Sequence, residues 1–511
     1  MTYPASGPLD RRAFTRRAAL LIGLGITGPL LAACSTEMPS SPAATPPPPT
    51  AGSQSAGQAA SQPAPTPTTA AQPAQSAQTA NPTVAPATNP ATGGAGDTVV
   101  WFVRTSPLEN KFEDWAMAEY KKEQAKVSVK QIVVPGADFN AKLFALQAAG
   151  STPNIFGFAA FATYWARDLA YPIDDYLKVD SNLEQQHFPG LFNTFHWWGK
   201  HWGLPMAPRF GNMTFYNRDL FDAAGVPYPK VDFSLKEWNA NVMLEKAQKL
   251  TKNFGKPDVT FGINLDPWAP HGLAYLWGGD AYRKEMYEQG IDDRTTVDSE
   301  ASQQAHQFKY DLIHKYKVHP STADMKGVSI LGDPFKTGRV AMVVAGGWDW
   351  SSFSDIKAFK WGAAPVPGMK SVKNSENLNI WMLGNAKTGR DASWEFMKFL
   401  TSQNGERNWV QITGAQPSRP DVLDDWIKLH SQHMAAEDIK TLVTENIKNT
   451  VESMDHMVVD FSRFDDSYNQ QVSALWDGKV EVAQFFQTLS TSWNGVAKEL
   501  YDHYKDTLLK R

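Results

Sequence analysis

Asp97-Thr98-Val99-Val100-Trp101-Phe102-Val103 is the first stretch of this chain that can build a core, and the elements downstream of it decide the fold. The run is β-branched and aromatic, and it has strand length. A helical stretch over about 108–124 comes next, then the alternating Val127-Ser128-Val129-Lys130-Gln131-Ile132-Val133. A helix over about 137–149 and a short strand over 152–158 complete the series. Strand, helix, strand, helix, strand implies a parallel α/β layer. In such sheets ligands sit beyond the carboxyl ends of the strands. That rule places 104–106 and 158–164 beside a cleft.

Downstream the α/β pattern continues. Ser234-Leu235-Lys236-Glu237 reads as a capping box opening a helix to about Lys252, with Leu235, Trp238, Val242 and Leu250 on its apolar stripe. Asp298 and Ser299 can cap a helix that runs to about Tyr316. Runs over 259–264, 340–345, 359–366 and 377–383 have strand character, and 391–401 a helical one. Residues 403–511 are mostly helical. There is no internal repeat.

Upstream the composition changes. The chain has 511 residues, enough for two to four domains, and all 18 of its tryptophans lie at position 101 or later. Residues 1–33 have the layout of a signal peptide: Arg11, Arg12, Arg16 and Arg17, an apolar run from Ala18 to Ala33, then the lone Cys34. The apolar run is too short for a spanning helix. Arg11-Arg12-Ala13-Phe14 resembles the twin-arginine export motif. Leu31-Ala32-Ala33-Cys34 resembles a bacterial lipobox, in which the cysteine thiol takes a diacylglycerol and becomes the new N-terminus. Gly23-Leu24-Gly25-Ile26-Thr27-Gly28 fits a dinucleotide fingerprint in letters only, since no strand precedes it. Residues 34–97 form a lipid-anchored tether of Pro, Ala, Thr, Ser, Gln and Gly, without aromatics, too poor in apolar surface to fold. As a coil it spans roughly 45 Å.

Charge and cysteine count exclude several classes. The formal net charge is −4; removing 1–33, with four Arg and one Asp, leaves 45 basic and 52 acidic residues and a net charge near −7. A nucleic-acid binder would show a basic balance. A single cysteine excludes a disulfide framework and a cysteine zinc cluster.

Further along, Gly203-Leu204-Pro205-Met206 is followed by Thr214-Phe215-Tyr216-Asn217-Arg218-Asp219-Leu220-Phe221-Asp222-Ala223-Ala224-Gly225-Val226-Pro227. Then come Phe335-Lys336-Thr337-Gly338-Arg339-Val340-Ala341-Met342, Gly346-Gly347-Trp348, and the run Trp361 to Gly368. Ala392 to Leu400 and Gly414-Ala415-Gln416-Pro417-Ser418-Arg419 close the series. In order and spacing, 98–425 resembles the family 1 extracellular solute-binding proteins, the maltose-binding-like receptors of ABC importers. The resemblance implies an α/β, two-lobe periplasmic-binding-protein fold with hinge-crossing strands, closing on a ligand by hinge bending. It implies a sugar or oligosaccharide ligand, a membrane permease as partner, no catalysis, no cofactor and no metal, and a monomer. The lobes are expected over 98–208 with 370–404, and over 209–369 with 405–511. The localisation implied is the outer face of a bacterial cytoplasmic membrane, held by lipid on Cys34.

Sugars present C–H faces and a rim of hydroxyls, so a pocket should mix aromatic rings with planar polar side chains. Gly346-Gly347-Trp348-Asp349-Trp350 follows a buried strand, and its glycines let backbone approach a ligand. In the maltose-binding-like pattern a sugar-stacking Trp falls by position on Trp348, with Trp350 two residues on; Gly347 belongs to the same loop. The alternative is that both rings pack at a strand-to-helix corner. Asp266-Pro267-Trp268-Ala269-Pro270-His271 and Trp277 form a second candidate loop, against a role as plug or core. Arg209 at the hinge can donate a forked pair of hydrogen bonds, or form a structural salt bridge. Trp381 sits on the return crossing strand. Phe161, Tyr164 and Trp165 follow the third strand. The aromatic run 195–202 reads as packing in a hairpin.

Enzyme readings are weaker. His314 with His319, and His430 with His433, lack metal-site spacing and read as solvated helix residues. No G-x-S-x-G or Walker A sequence occurs. A surface-anchored carbohydrate-active enzyme, a receptor for a non-sugar solute and an adhesin remain the alternatives.

Overall fold

The computed structural model describes residues 98–157, 160–209, 211–266, 271–375, 377–451 and 454–510. All of them lie in one of the chain's two compact units, Pro90–Arg511. The signal peptide, Cys34 and the tether lie outside the described residues.

The opening run forms the strand Thr98–Arg104, buried on both faces as parallel strands are. Its alternation separates two cores. Trp101 points to one face, with Trp381 and Phe396 at 5.2 and 5.1 Å; Phe102 points to the other, 4.6 Å from Phe139. The strand pairs in parallel with Ser128–Val134 and with the two-residue strand Ile155–Phe156. Helices Pro107–Glu123 and Phe139–Ala148 make the crossovers, the first with proline in its opening turn.

This first sheet has five strands, in the order Ser128–Val134, Thr98–Arg104, Ile155–Phe156, Asn377–Leu383, Gly203–Arg209. Asn377–Leu383 runs antiparallel to both of its neighbours. A second sheet has four strands, in the order Trp361–Ala364, Asn212–Asn217, Met342–Gly346, Asn264–Leu265. The chain therefore leaves the first sheet at Arg209, enters the second at Asn212, and returns between Ala364 and Asn377. These are the expected hinge crossings, and the two sheets are the centres of two α/β lobes.

The hinge is pinned by an amide pair. The Asn212 backbone N–H and Nδ2 both donate to Asn374 Oδ1, at 2.9 and 3.0 Å, and Asn374 Nδ2 donates back to the Asn212 carbonyl at 2.5 Å. Gly211 sits in the left-handed region at φ +49, and a Cβ there would lie 2.5 Å from Asn374 Nδ2. Asn374–Ser375 also pairs in parallel with Thr450–Val451, so a third segment joins the hinge.

Two local expectations are corrected. Ser234 does not cap a helix. The Asp232 carboxylate accepts from the backbone N–H groups of Ser234 and Glu237, at 2.8 and 2.7 Å. The helix instead begins at Ala240, capped by Asn239, whose side chain accepts from Asn241 and Val242. The C-terminal helices also divide between the lobes. Gln403–Thr413 packs on Pro107–Glu123 of the first lobe, with Trp409 at 5.1 Å from Phe112. Leu423–His430 packs on the second, with Trp426 at 5.1 Å from Trp350. Ser462–Trp476 and Val482–Leu508 pair with each other and with Glu300–His314. Ser299 caps this last helix as expected. Among the described residues, no helix is long and apolar enough to cross a membrane.

Candidate functional site

Met342–Gly346 is a central strand of the second sheet, and its carboxyl end points to the hinge. Gly346, Gly347 and Trp348 follow one another there. A Cβ on Gly346 would lie 2.2 Å from the Trp348 ring, so only glycine lets the indole fold back over the strand end. The Gly347 N–H donates to the Gly211 carbonyl at 2.7 Å, and its own carbonyl accepts from Gln416 Nε2 at 2.9 Å. Trp348 is half-buried. A half-buried tryptophan thus sits on a glycine platform tied by backbone to the hinge turn.

The short helix Asp349–Phe353 explains why Trp350 does not share that role. Residues two apart on a helix point to nearly opposite sides. Trp350 is 0% exposed, ringed by Phe215, Trp361, Trp426 and His430 at centroid distances of 5.1–5.8 Å. Its expected ligand contact gives way to core packing. The same holds for Trp381, 2% exposed against Trp101, and for buried Trp277, 5.2 Å from Phe308. Phe161 is buried between Trp197 and His456, at 5.6 and 4.4 Å. Tyr164 is buried too, its hydroxyl donating to Asn140 Oδ1 at 2.6 Å. Each packs where a ligand contact was expected.

Three candidates have side chains outside the described residues. Arg209 ends the strand Gly203–Arg209 and pairs by backbone with Asn377 at the hinge. His271 opens the helix His271–Leu276, which lies against Asn374–Ser375. Trp268 belongs to the undescribed 267–270. The base of that loop is held by Asp266, which accepts from Lys309 Nζ at 3.0 Å. The Lys309 ammonium in turn sits 4.6 Å from the centre of the Trp476 ring.

The aromatic run 195–202 forms the expected hairpin, His196–Trp197 against Lys200–His201. Trp198 occupies a left-handed position at φ +51 and stacks flat on Trp165 at 3.5 Å. Its ring also approaches Gly290 of the second lobe. Nearby, the Asp460 N–H donates to Thr163 Oγ1 at 2.8 Å, so the C-terminal segment meets the helix Phe161–Ala166.

Buried titratable groups lie elsewhere and have structural explanations. His430 Nε2 donates to the Gly414 carbonyl, 3.0 Å away, and His433 stacks on Trp361 at 4.0 Å. Burial lowers both to about 4, and His319 to about 3. Reading these histidines as solvated is therefore corrected. Among the described residues no three His, Cys, Asp or Glu side chains are placed to hold a metal. Ser418 Oγ lies 2.6 Å from Glu406 Oε1 and 2.9 Å from His187 Nδ1. A hydrolytic triad needs the histidine in the middle and an open hydroxyl. Here the serine is in the middle and all three residues are buried. Burial raises Glu406 to about 8 and lowers His187 to about 3.

Comparison with known proteins agrees with this geometry. The family model described as bacterial extracellular solute-binding protein matches residues 115–436. Among solved structures, an ABC substrate-binding protein from Listeria monocytogenes in complex with cycloalternan is similar at TM-score 0.66 and 21% identity, over 79% of this chain and 99% of that one. The sugar-binding protein MalE of Xanthomonas citri is similar at TM-score 0.65 and 17% identity, over 80% and 99%. The GacH receptor of Streptomyces glaucescens, solved unliganded and with acarbose, is similar at TM-score 0.61 and 21% identity, over 79% and 99%.

Proposed function

The chain belongs to the bacterial extracellular solute-binding proteins, and from that premise we propose that it is the substrate-binding lipoprotein of an ABC importer. In this reading it captures a carbohydrate, an oligosaccharide by preference, between its two lobes and hands it to a membrane permease. It performs no chemistry on the ligand. Lipid on Cys34 holds it at the outer face of the cytoplasmic membrane, and the 34–97 tether lets a monomeric receptor reach the permease.

The observation that carries this reading is the half-open Trp348 on its glycine platform beside the hinge. An indole face matches the C–H face of a sugar ring, and closure of the opposite lobe would complete the enclosure. The neighbours with cycloalternan and acarbose support an oligosaccharide over a small ion.

The test is a thermal-shift screen of residues 98–511 against mono- and oligosaccharides, sugar acids and glycerophosphodiesters. A ligand present at about a hundred times its dissociation constant stabilises the folded state by about 3 kcal/mol. Stabilisation by one saccharide class, with no product after prolonged incubation, is the expected result. No shift with any sugar-like compound rejects the carbohydrate reading, and cleavage products reject the receptor reading.

A further inference from the structure

We propose that Gln416 is the positioning residue of the Trp348 platform, setting the angle of the indole through the Gly347 carbonyl. The inference rests on the carbohydrate-receptor reading and names the group that makes its central ring rigid.

Gln416 is wholly buried. Its Nε2 donates to the Gly347 carbonyl at 2.9 Å, across 69 residues of sequence. Its Oε1 is buried and meets no donor among the described residues. Burying an amide with its oxygen unpartnered is unfavourable, and Leu or Met would fill the same space without that cost. The gain that offsets it is the one bond the amide makes. The assignment of the two amide atoms follows from that bond, since a reversed amide would set oxygen against oxygen.

Gly347 is gripped through both of its flanking peptide groups. Its N–H reaches the Gly211 carbonyl in the hinge turn, and its carbonyl accepts from Gln416 Nε2 at 2.9 Å and, more weakly, from the Trp350 N–H at 3.3 Å. Glycine has no side chain to restrain its own dihedrals, so these three bonds, the Gln416 one the only side-chain contact among them, set the direction in which the chain enters Trp348. The Gln416 loop is itself fixed. The Gly414 carbonyl lies 3.0 Å from both Trp426 Nε1 and His430 Nε2, and Ser351 Oγ donates to the Thr413 carbonyl at 2.6 Å. Gln416 thus joins a rigid loop to the most flexible point of the platform. A ring held in place before the ligand arrives has less freedom to lose on binding.

The test uses the full chain in detergent, labelled with 5-fluorotryptophan. The Trp348 fluorine resonance is identified by its loss in Trp348→Phe, and that of core Trp101 by its loss in Trp101→Phe. Two variants are compared with the wild type: Gln416→Glu, whose carboxylate cannot donate to Gly347, and Gln416→Met, which keeps the volume. We expect the Trp348 resonance to shift or broaden in both, with Trp101 unmoved. We also expect maltotriose affinity to fall at least tenfold in Gln416→Glu, and the same change to cost less than twofold in a Trp348→Ala background. A Trp348 resonance unmoved in either folded variant overturns the proposal. So does an equal loss of affinity with and without Trp348. If the wild type does not bind maltotriose, the carbohydrate reading fails for that probe, while the fluorine spectra still decide the role of Gln416.

Discussion

Trp348→Ala and Trp350→Ala should separate binding from stability, although the residues are two positions apart. Trp350 is 0% exposed and touches rings from both the second sheet and the helix Leu423–His430. Walls from separate elements cannot close over the space an indole leaves, so truncation costs about 3–5 kcal/mol. Unfolding entropy of about 2.1 cal/mol/K per residue, over roughly 400 folded residues, is about 0.8 kcal/mol/K. The melting temperature should therefore fall by about 4–6 °C. Trp348 is half-buried at a strand end, and its loss opens no enclosed cavity. Its melting temperature should fall by no more than about 1–2 °C, while ligand affinity drops at least tenfold, or about 1.4 kcal/mol. Scanning calorimetry and titration calorimetry with a hit from the saccharide screen read the two quantities. If Trp350→Ala weakens binding at an unchanged melting temperature, or Trp348→Ala lowers stability at unchanged affinity, the division between platform and core is wrong.

Gly346→Ala sets a methyl 2.2 Å from the Trp348 ring, so the indole must swing away. About 1–3 kcal/mol of overpacking and an affinity loss close to that of Trp348→Ala are expected, read by the same two calorimetric measurements. Stability should also depend on pH from both sides. Burial raises Glu406 to about 8 and Glu113 to about 7, so the folded state holds protons the unfolded chain has released above 4.5; their contribution is complete below that pH and lost as pH rises through 7 and 8. Burial lowers His187, His306 and His319 to about 3, so their contribution is complete above 6.5 and lost as pH falls toward 3. Urea unfolding should give a maximum near pH 6–6.5 and a fall of up to about 3 kcal/mol per pH unit above it; stability that rises from pH 6.5 to 8 rejects the assignment. Glu406→Gln imitates the neutral acid, its amide donating to Ser418 Oγ while that hydroxyl turns to His187 Nδ1, and should make the alkaline slope shallower.

The α/β frame was legible because burial on both faces writes a continuous apolar run, as at Thr98–Arg104, and proline and serine punctuate helices, as at Pro107 and Ser299. Local signals failed where a nearer competitor existed. Ser234 is preceded two residues earlier by Asp232, whose carboxylate accepts from the same amide region and moves the helix start to Ala240. The site was only partly legible, for a different reason. Aromatic residues serve cores and sugar pockets alike, so residue type alone could not separate Trp348 from Trp350, Trp277 or Trp381. Two features distinguish Trp348: glycines directly before it at a strand end, and the phase of a five-residue helix that turns Trp350 inward. The first is visible in Gly346-Gly347-Trp348; the second depends on where that helix starts.

The same contrast explains why Gln416 escaped notice although Gly414 to Arg419 stood out as a motif. A glutamine between Ala415 and Pro417 carries no periodic or capping signal. Its significance comes from a partner carbonyl 69 residues earlier, and from burial that leaves its amide one bond with which to offset desolvation. Hinge and platform are joined by backbone at Gly211 and Gly347, where no side chain exists to announce the connection. On the proposed reading, the hinge turn and the ligand-stacking ring are therefore coupled through a single residue, Gly347. On that reading, changes at Gly211 or Gln416 should alter affinity without touching the ligand, because each disturbs one of the bonds that hold Gly347.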